Sequence, residues 1–318
     1  PLTPPTRPRA RRCALALARL PAVEFDGRVN RRSMLTLLTA ASVFGAAGLT
    51  SCTPTPRAGV TEGAGVREDE GVLEMTTIAY GDDPSQYAEL TRPAGESKGV
   101  VVVIHGGFWK AQYDASLGRP LAASLAANGW TAWNVEYRRV GSGGGYPATF
   151  DDVAASIDAL AAVNDLDLTT VVTLGHSAGG HLAVWAAGRP GLTGTEWADP
   201  AVMVTAAVSQ AGVLDFAAAT EANLGGGAVR ALLGDVSDGR SALADPTVRV
   251  PLDVPVRCIH GRSDAIVPIS QSSDYVARAT AAGADATLTE VSGDHFVVID
   301  PTSEAWTLTL ELLDALVS

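Results

Sequence analysis

Cysteine is scarce in this chain: 318 residues hold three, Cys13, Cys52 and Cys258. No two of them form C-x-x-C, which excludes a zinc ribbon and a thioredoxin-type redox motif. Cys258 lies in the apolar run from Val254 to Ile259 and reads as an inert buried thiol. Positive charge is also short, with 23 basic residues against 35 acidic and a formal net charge of −12. Phosphate binding needs clustered Lys and Arg, so nucleic acid is excluded as the main partner. Charged residues make up only 18% of the chain and hydrophobic ones 47%, a balance that supports a sizeable core. There is no internal repeat. The N-terminal apolar segment, residues 34–49, is shorter than the ~20 residues a membrane-spanning helix needs.

What the N-terminal part does contain is an address. Residues 1–30 are rich in Pro, Arg and Ala and show no clean period. Arg31-Arg32 then precede the apolar segment, and Leu49-Thr50-Ser51-Cys52 close it. A basic pair, an apolar stretch and small residues form a bacterial export signal, of twin-arginine type by its adjacent arginines. The closing residues resemble a lipobox, with Cys52 as the acylated residue. Membrane contact is thus expected only through a lipid anchor, on the outer face of the bacterial cytoplasmic membrane, with secretion as the alternative. Residues 53–71 are poor in large apolar side chains and read as a flexible tether. Three segments result: extension and signal over 1–52, linker over 53–71, and a catalytic domain over 72–318.

Within that domain β-rich and helical segments alternate. Strands are expected at 73–80, 86–91, 99–105, 131–136, 170–174, 202–209, 256–260 and 286–291. Helices are expected at 115–128, 150–163, 178–187, 270–282 and 303–317. The run Val-Val-Val-Val-Ile suits a strand buried on both faces. Residues 214–250 are less regular and read as short helices over a site. The alternation predicts an α/β fold with a mostly parallel central sheet and helices on both faces.

Gly175-His176-Ser177-Ala178-Gly179 follows a strand and opens a helix, the context in which G-x-S-x-G carries a nucleophile. The serine must stand on a sharp, strained turn, and its glycine neighbours would otherwise clash there. His105-Gly106-Gly107-Phe108-Trp109 ends the third strand. A tetrahedral intermediate needs backbone N–H donors about 3 Å from its oxyanion. Those donors are assigned to Gly106 or Gly107 and to Ala178. Phe108 and Trp109 either wall an acyl pocket or anchor the loop in the core. His105, His176 and His181 read as loop-shaping or packing residues.

A base and its orienting acid are then needed. Strand 256–260 leads to Asp264, and strand 286–291 leads to His295. The order Ser177, Asp264, His295 is the Ser…Asp…His order of an α/β-hydrolase. His295 takes the serine proton during attack, and Asp264 sets the imidazole tautomer. Asp294 stands too close to His295 in sequence for easy side-chain geometry. Asp215 and Asp235 read as solvated loop carboxylates.

Together with Glu136-Tyr137-Arg138, these motifs resemble the arylformamidase (kynurenine formamidase) branch of the esterase/lipase-type α/β-hydrolases, over about residues 72–318. The resemblance implies hydrolysis of small acyl esters or an N-formyl amide through an acyl-enzyme, with neither metal nor organic cofactor. Formamidase-type members are generally cytoplasmic, whereas this chain carries an export signal, which favours a carboxylesterase acting on a small-molecule acyl substrate outside the membrane. An acyltransferase using the same triad and a non-catalytic binding lipoprotein on a hydrolase scaffold are the alternatives. An aminopeptidase-like hydrolase fits less well, for want of a propeller-sized extra domain. The short 214–250 segment leaves no room for a large lid and predicts a short-chain acyl group.

Overall fold

The computed structural model describes residues 74–234 and 239–317. The expected signal, Cys52, the linker and Asp235 lie outside the described residues. Eight strands form one sheet: β1 (Met75–Ala79), β2 (Tyr87–Thr91), β3 (Val100–Ile104), β4 (Thr131–Val135), β5 (Val171–His176), β6 (Ala206–Gln210), β7 (Val256–Gly261) and β8 (Ala286–Val291). Their order is β1-β2-β4-β3-β5-β6-β7-β8. The β1–β2 and β2–β4 pairs are antiparallel, and every pair from β4 to β8 is parallel. The α/β-hydrolase fold expected from the alternation of elements is the fold observed.

Strand β3 shows why the sheet sits where it does. All five of its side chains are buried, and the period of two sends them to opposite faces. Val100, Val102 and Ile104 join the larger core, while Val101 and Val103 join the smaller one. The larger core takes Phe150, Val153 and Ile157 of α2 (Ala148–Asp158), Leu182 of α3 (Ala178–Ala187) and Tyr275 of α7 (Ser270–Ala281). The smaller takes Leu121 and Leu125 of α1 (Arg119–Ala127) and Trp306 and Leu313 of α8 (Glu304–Asp314). Each fully buried Val or Ile contributes about 1.5–3 kcal/mol relative to exposure, so β3 alone is a strong anchor for the loop that follows it.

Several boundaries differ from expectation, and three of them have a clear cause in packing or capping. The 115–128 helix breaks at Gly118 into a 3-10 turn and α1. A Cβ at Gly118 would fall 2.0 Å from Asn134 Oδ1, so the chain passes too close to β4 there for a regular side-chain-bearing turn. Helix α2 starts at Ala148, two residues before the expected 150, directly after its N-cap Pro147. Strand β6 begins only at Ala206. Val202 and Val204 are buried without joining the ladder, so their apolarity reflects core packing and not strand pairing. Among the described residues, 214–250 include the short α-helices α4 (Phe216–Glu221), α5 (Ala228–Leu233) and α6 (Arg240–Ala244), with 3-10 turns at Leu224–Gly226 and Pro246–Arg249.

Candidate active site

The parallel strands deliver their loops to one sheet edge, the usual place for a site in an open α/β sheet. Between β5 and α3, Ser177 adopts φ 55° and ψ −117°. This is a sparsely populated conformation for a residue with a Cβ, and it is held by its surroundings. A Cβ at Gly175 would lie 2.0 Å from the Gly179 carbonyl oxygen, and one at Gly179 would lie 2.0 Å from that of Ile104. Both positions therefore require glycine. The Ser177 N–H donates to the Gln210 carbonyl at 2.8 Å, tying the turn to the end of β6. Ala178 is the first residue of α3, so its N–H has no acceptor inside the helix.

The loop after β3 lies against this turn. A Cβ at Gly106 would come within 2.8 Å of the His176 carbonyl oxygen and 3.1 Å of Ser177 Cβ. Only glycine allows that approach. The root of the loop is a buried polar knot. His105 Nδ1 donates to the Gly106 carbonyl at 2.9 Å, and its Nε2 lies 3.3 Å from Glu136 Oε1. The Tyr137 hydroxyl donates to the His105 carbonyl at 2.8 Å, and the two rings stack at 4.4 Å. Glu136 also accepts from the backbone N–H of Ala115 and Tyr137 and from Arg139.

The aromatic pair after the glycines divides. Trp109 is fully buried, edge-on to His181 and Phe216, and exposes nothing to a pocket. It anchors the loop, so of the two roles left open for Trp109 the structure gives it the core one and not the wall of an acyl site. Phe108 is half-buried and covers Gly225, whose carbonyl accepts from Lys110 Nζ at 2.7 Å. The 214–250 segment is thereby stapled to this loop, and again to α3, where His181 Nε2 donates to the Ala244 carbonyl and Trp185 Nε1 to that of Leu243.

Adjacent strands β7 and β8 carry the remaining two residues. His295 Nδ1 lies 2.6 Å from Asp264 Oδ2. The other carboxylate oxygen accepts from the backbone N–H of Ile266 and of Val267, each at 2.8 Å. Burial alone would raise Asp264, but hydrogen bonds from His260, His295 and these two amides outweigh it and hold the carboxyl well below the usual range. The residue before the serine clasps His295: His176 Nε2 donates to the His295 carbonyl at 2.9 Å, and the two rings are 4.5 Å apart. Burial, then repulsion from His295, lowers His176 to about 3, so it stays neutral and acts as a strut. His295 is thus brought to the flank of the turn that bears Ser177.

The rival acids have other work. Asp294 Oδ1 accepts from Phe296 N at 3.0 Å. Asp215 is buried and not solvated as expected: it caps α4 through Ala218 N at 2.9 Å and pairs with Arg278. Two residues received no role from the sequence: Glu136, met there only within Glu136-Tyr137-Arg138, and His260. Their signal is a titratable side chain at the end of a buried strand. Among the described residues no group of three His, Cys, Asp or Glu side chains is placed to hold a metal ion.

Comparison with known proteins agrees with this fold. The BD-FAE family model matches residues 89–278. That stretch contains Ser177 and Asp264 and ends before His295. Esterase LipC of Mycobacterium tuberculosis is 28% identical over 225 residues, 63% of this chain and 54% of the relative. The chain therefore spans about half the length of that curated relative. Among solved structures, esterase B from Lactobacillus rhamnosis superposes with a TM-score of 0.67 at 26% identity, over 79% of this chain and 87% of that one. A truncated carbohydrate esterase from gut microbiota gives 0.66 at 22% identity, over 78% and 98%.

Proposed function

This chain belongs to the BD-FAE family, and from that membership and the geometry around Ser177 we propose that it is a serine carboxylesterase acting on small acyl esters. The observation that carries the proposal is the contact of His295 Nδ1 with buried Asp264 Oδ2 at 2.6 Å, on a loop clasped by the residue preceding a strained Ser177. In the proposed reaction Ser177 Oγ attacks the acyl carbonyl while His295 takes its proton. Asp264, low in proton affinity, stays ionised and stabilises the imidazolium. The Ala178 N–H and the Gly106–Gly107 backbone receive the oxyanion. His295 returns the proton to the departing alcohol, and water then repeats the sequence on the acyl-enzyme.

Esters are favoured over N-formyl amides because the relatives at 26–28% identity are named as esterases. The stapled 214–250 segment supports a short acyl chain. For location, the basic pair and lipobox-like residues support export and a lipid anchor at Cys52. A fluorophosphonate probe tests the chemistry: it should label wild-type protein and leave Ser177→Ala unlabelled. Turnover of p-nitrophenyl acetate well above that of an N-formyl aryl amide is expected. Retained turnover by Ser177→Ala would refute the nucleophile, and preference for the amide would refute the ester. Acylation of full-length protein with an azido-palmitate, lost in Cys52→Ala, tests the anchor.

A further inference from the structure

The acid of the site is gripped by two imidazoles. His260, the fifth residue of β7, is fully buried, and so is the Asp264 side chain. His260 Nε2 lies 3.1 Å from Asp264 Oδ2 and 2.9 Å from the Val267 carbonyl oxygen. Both neighbours are acceptors, so Nε2 must carry the proton. The opposite nitrogen, Nδ1, lies 2.8 Å from Ser272 Oγ on α7. A serine hydroxyl donating there leaves the ring neutral with its proton on Nε2, aimed at the carboxylate.

Asp264 Oδ2 consequently receives His295 at 2.6 Å and His260 at 3.1 Å, while Oδ1 receives two backbone amides. The carboxylate's acceptor positions are filled. We propose that His260 is a positioning residue of the catalytic centre, fixing the Asp264 carboxylate by a second imidazole hydrogen bond and drawing off part of the negative charge that Asp264 offers to His295. This rests on the esterase reading for its consequence, but the arrangement of the groups does not.

The direction of the effect follows from electrostatics. A donor on Oδ2 weakens the attraction between Asp264 and the His295 imidazolium. With that donor removed, the imidazolium is held more tightly and His295 titrates at higher pH. The remaining titratable groups nearby are His176 on β5, the neighbouring Asp294, and Cys258, on β7 behind Ser272. Burial lowers His176 to about 3 and pushes the Cys258 thiol up to about 12, so both are neutral in the range concerned. Asp294 caps Phe296 in the loop that bears His295 and is present in every variant.

The test compares wild type with His260→Leu, His260→Asn and His260→Gln, following the His295 imidazole by NMR titration of histidine-labelled protein alongside the pH profile of kcat/KM. Leucine removes the donor. Asparagine keeps a polar group but ends too short to reach Oδ2, so it serves if leucine prevents folding. Glutamine places its amide near the position of Nε2. The His295 midpoint should rise by about 0.5–1 unit in the first two variants and return toward wild type in the third. The acid limb of kcat/KM should move by the same amount, a loss of about three- to tenfold at pH 6. An unmoved midpoint in a folded leucine or asparagine variant overturns the proposal. Absence of both turnover and fluorophosphonate labelling in wild type would refute the esterase reading instead, and the NMR titration would still decide the role of His260.

Discussion

Two fully buried, neutral histidines should make this fold sensitive to mild acid. Burial lowers His181 to about 4, and burial together with repulsion from His295 lowers His176 to about 3. In the unfolded chain each reverts to about 6.5. Between pH 6.5 and 4 the unfolded state therefore binds more protons than the folded one, so stability rises with pH and falls on acidification. From pH 7 to pH 5 each histidine removes about 2 kcal/mol, or roughly 4 kcal/mol for the two. That is a large share of the ~5–15 kcal/mol that holds a typical domain together. Asp264 does not enter this window: its lowered folded affinity stabilises the protein above about pH 4 and is lost only below it. Urea denaturation at pH 7, 6 and 5 measures the slope directly. His181→Leu should keep the fold and remove about half of the pH dependence, because His181 makes one side-chain hydrogen bond and sits among Trp109, Phe150 and Phe216. A loss below about 1 kcal/mol between pH 7 and 5, or an unchanged slope in His181→Leu, would refute the reasoning.

Other perturbations separate strain, support and chemistry. Ser177→Gly should abolish turnover yet raise stability by about 1 kcal/mol, since glycine relieves a positive φ; a destabilised variant in urea denaturation would contradict that. Asp264→Asn should cut kcat/KM by roughly 10³–10⁴ with the fold intact by circular dichroism, and a loss under tenfold would remove Asp264 from the mechanism. Glu136→Gln leaves Arg139 buried beside a neutral amide and should cost about 3 kcal/mol; less than 1 kcal/mol in denaturation would show that the knot under the loop after β3 is not held by charge. Gly179→Ala places a methyl 2.0 Å from the Ile104 carbonyl oxygen and should yield no soluble folded protein, judged by size-exclusion chromatography.

The elements that were legible in the sequence are those governed by local chemistry. Helix α3 was bounded correctly because a glycine-flanked serine on one side and Gly188 on the other leave no freedom. Strand β8 was likewise bounded correctly, being set off by Gly283 and Gly293. The candidate triad could be read because its members are tied to strand ends, and strand ends can be located from apolar runs. What escaped depends on contacts between distant segments. Nothing near Trp109 distinguishes a pocket wall from an anchor; that is settled by Phe216 and His181, more than seventy residues away. His260 looked like the end of a strand until Asp264, Val267 and Ser272 closed around its two nitrogens. Glu136 is the same case on the other side of the site. A titratable side chain buried at the end of a strand must find partners at the loop edge, because leaving it unpaired there costs several kcal/mol. In this sheet, the partners it finds are the loops that carry Gly106–Gly107 and Asp264. The second layer of the site is thus a consequence of satisfying buried polar groups at the same edge where the first layer must stand.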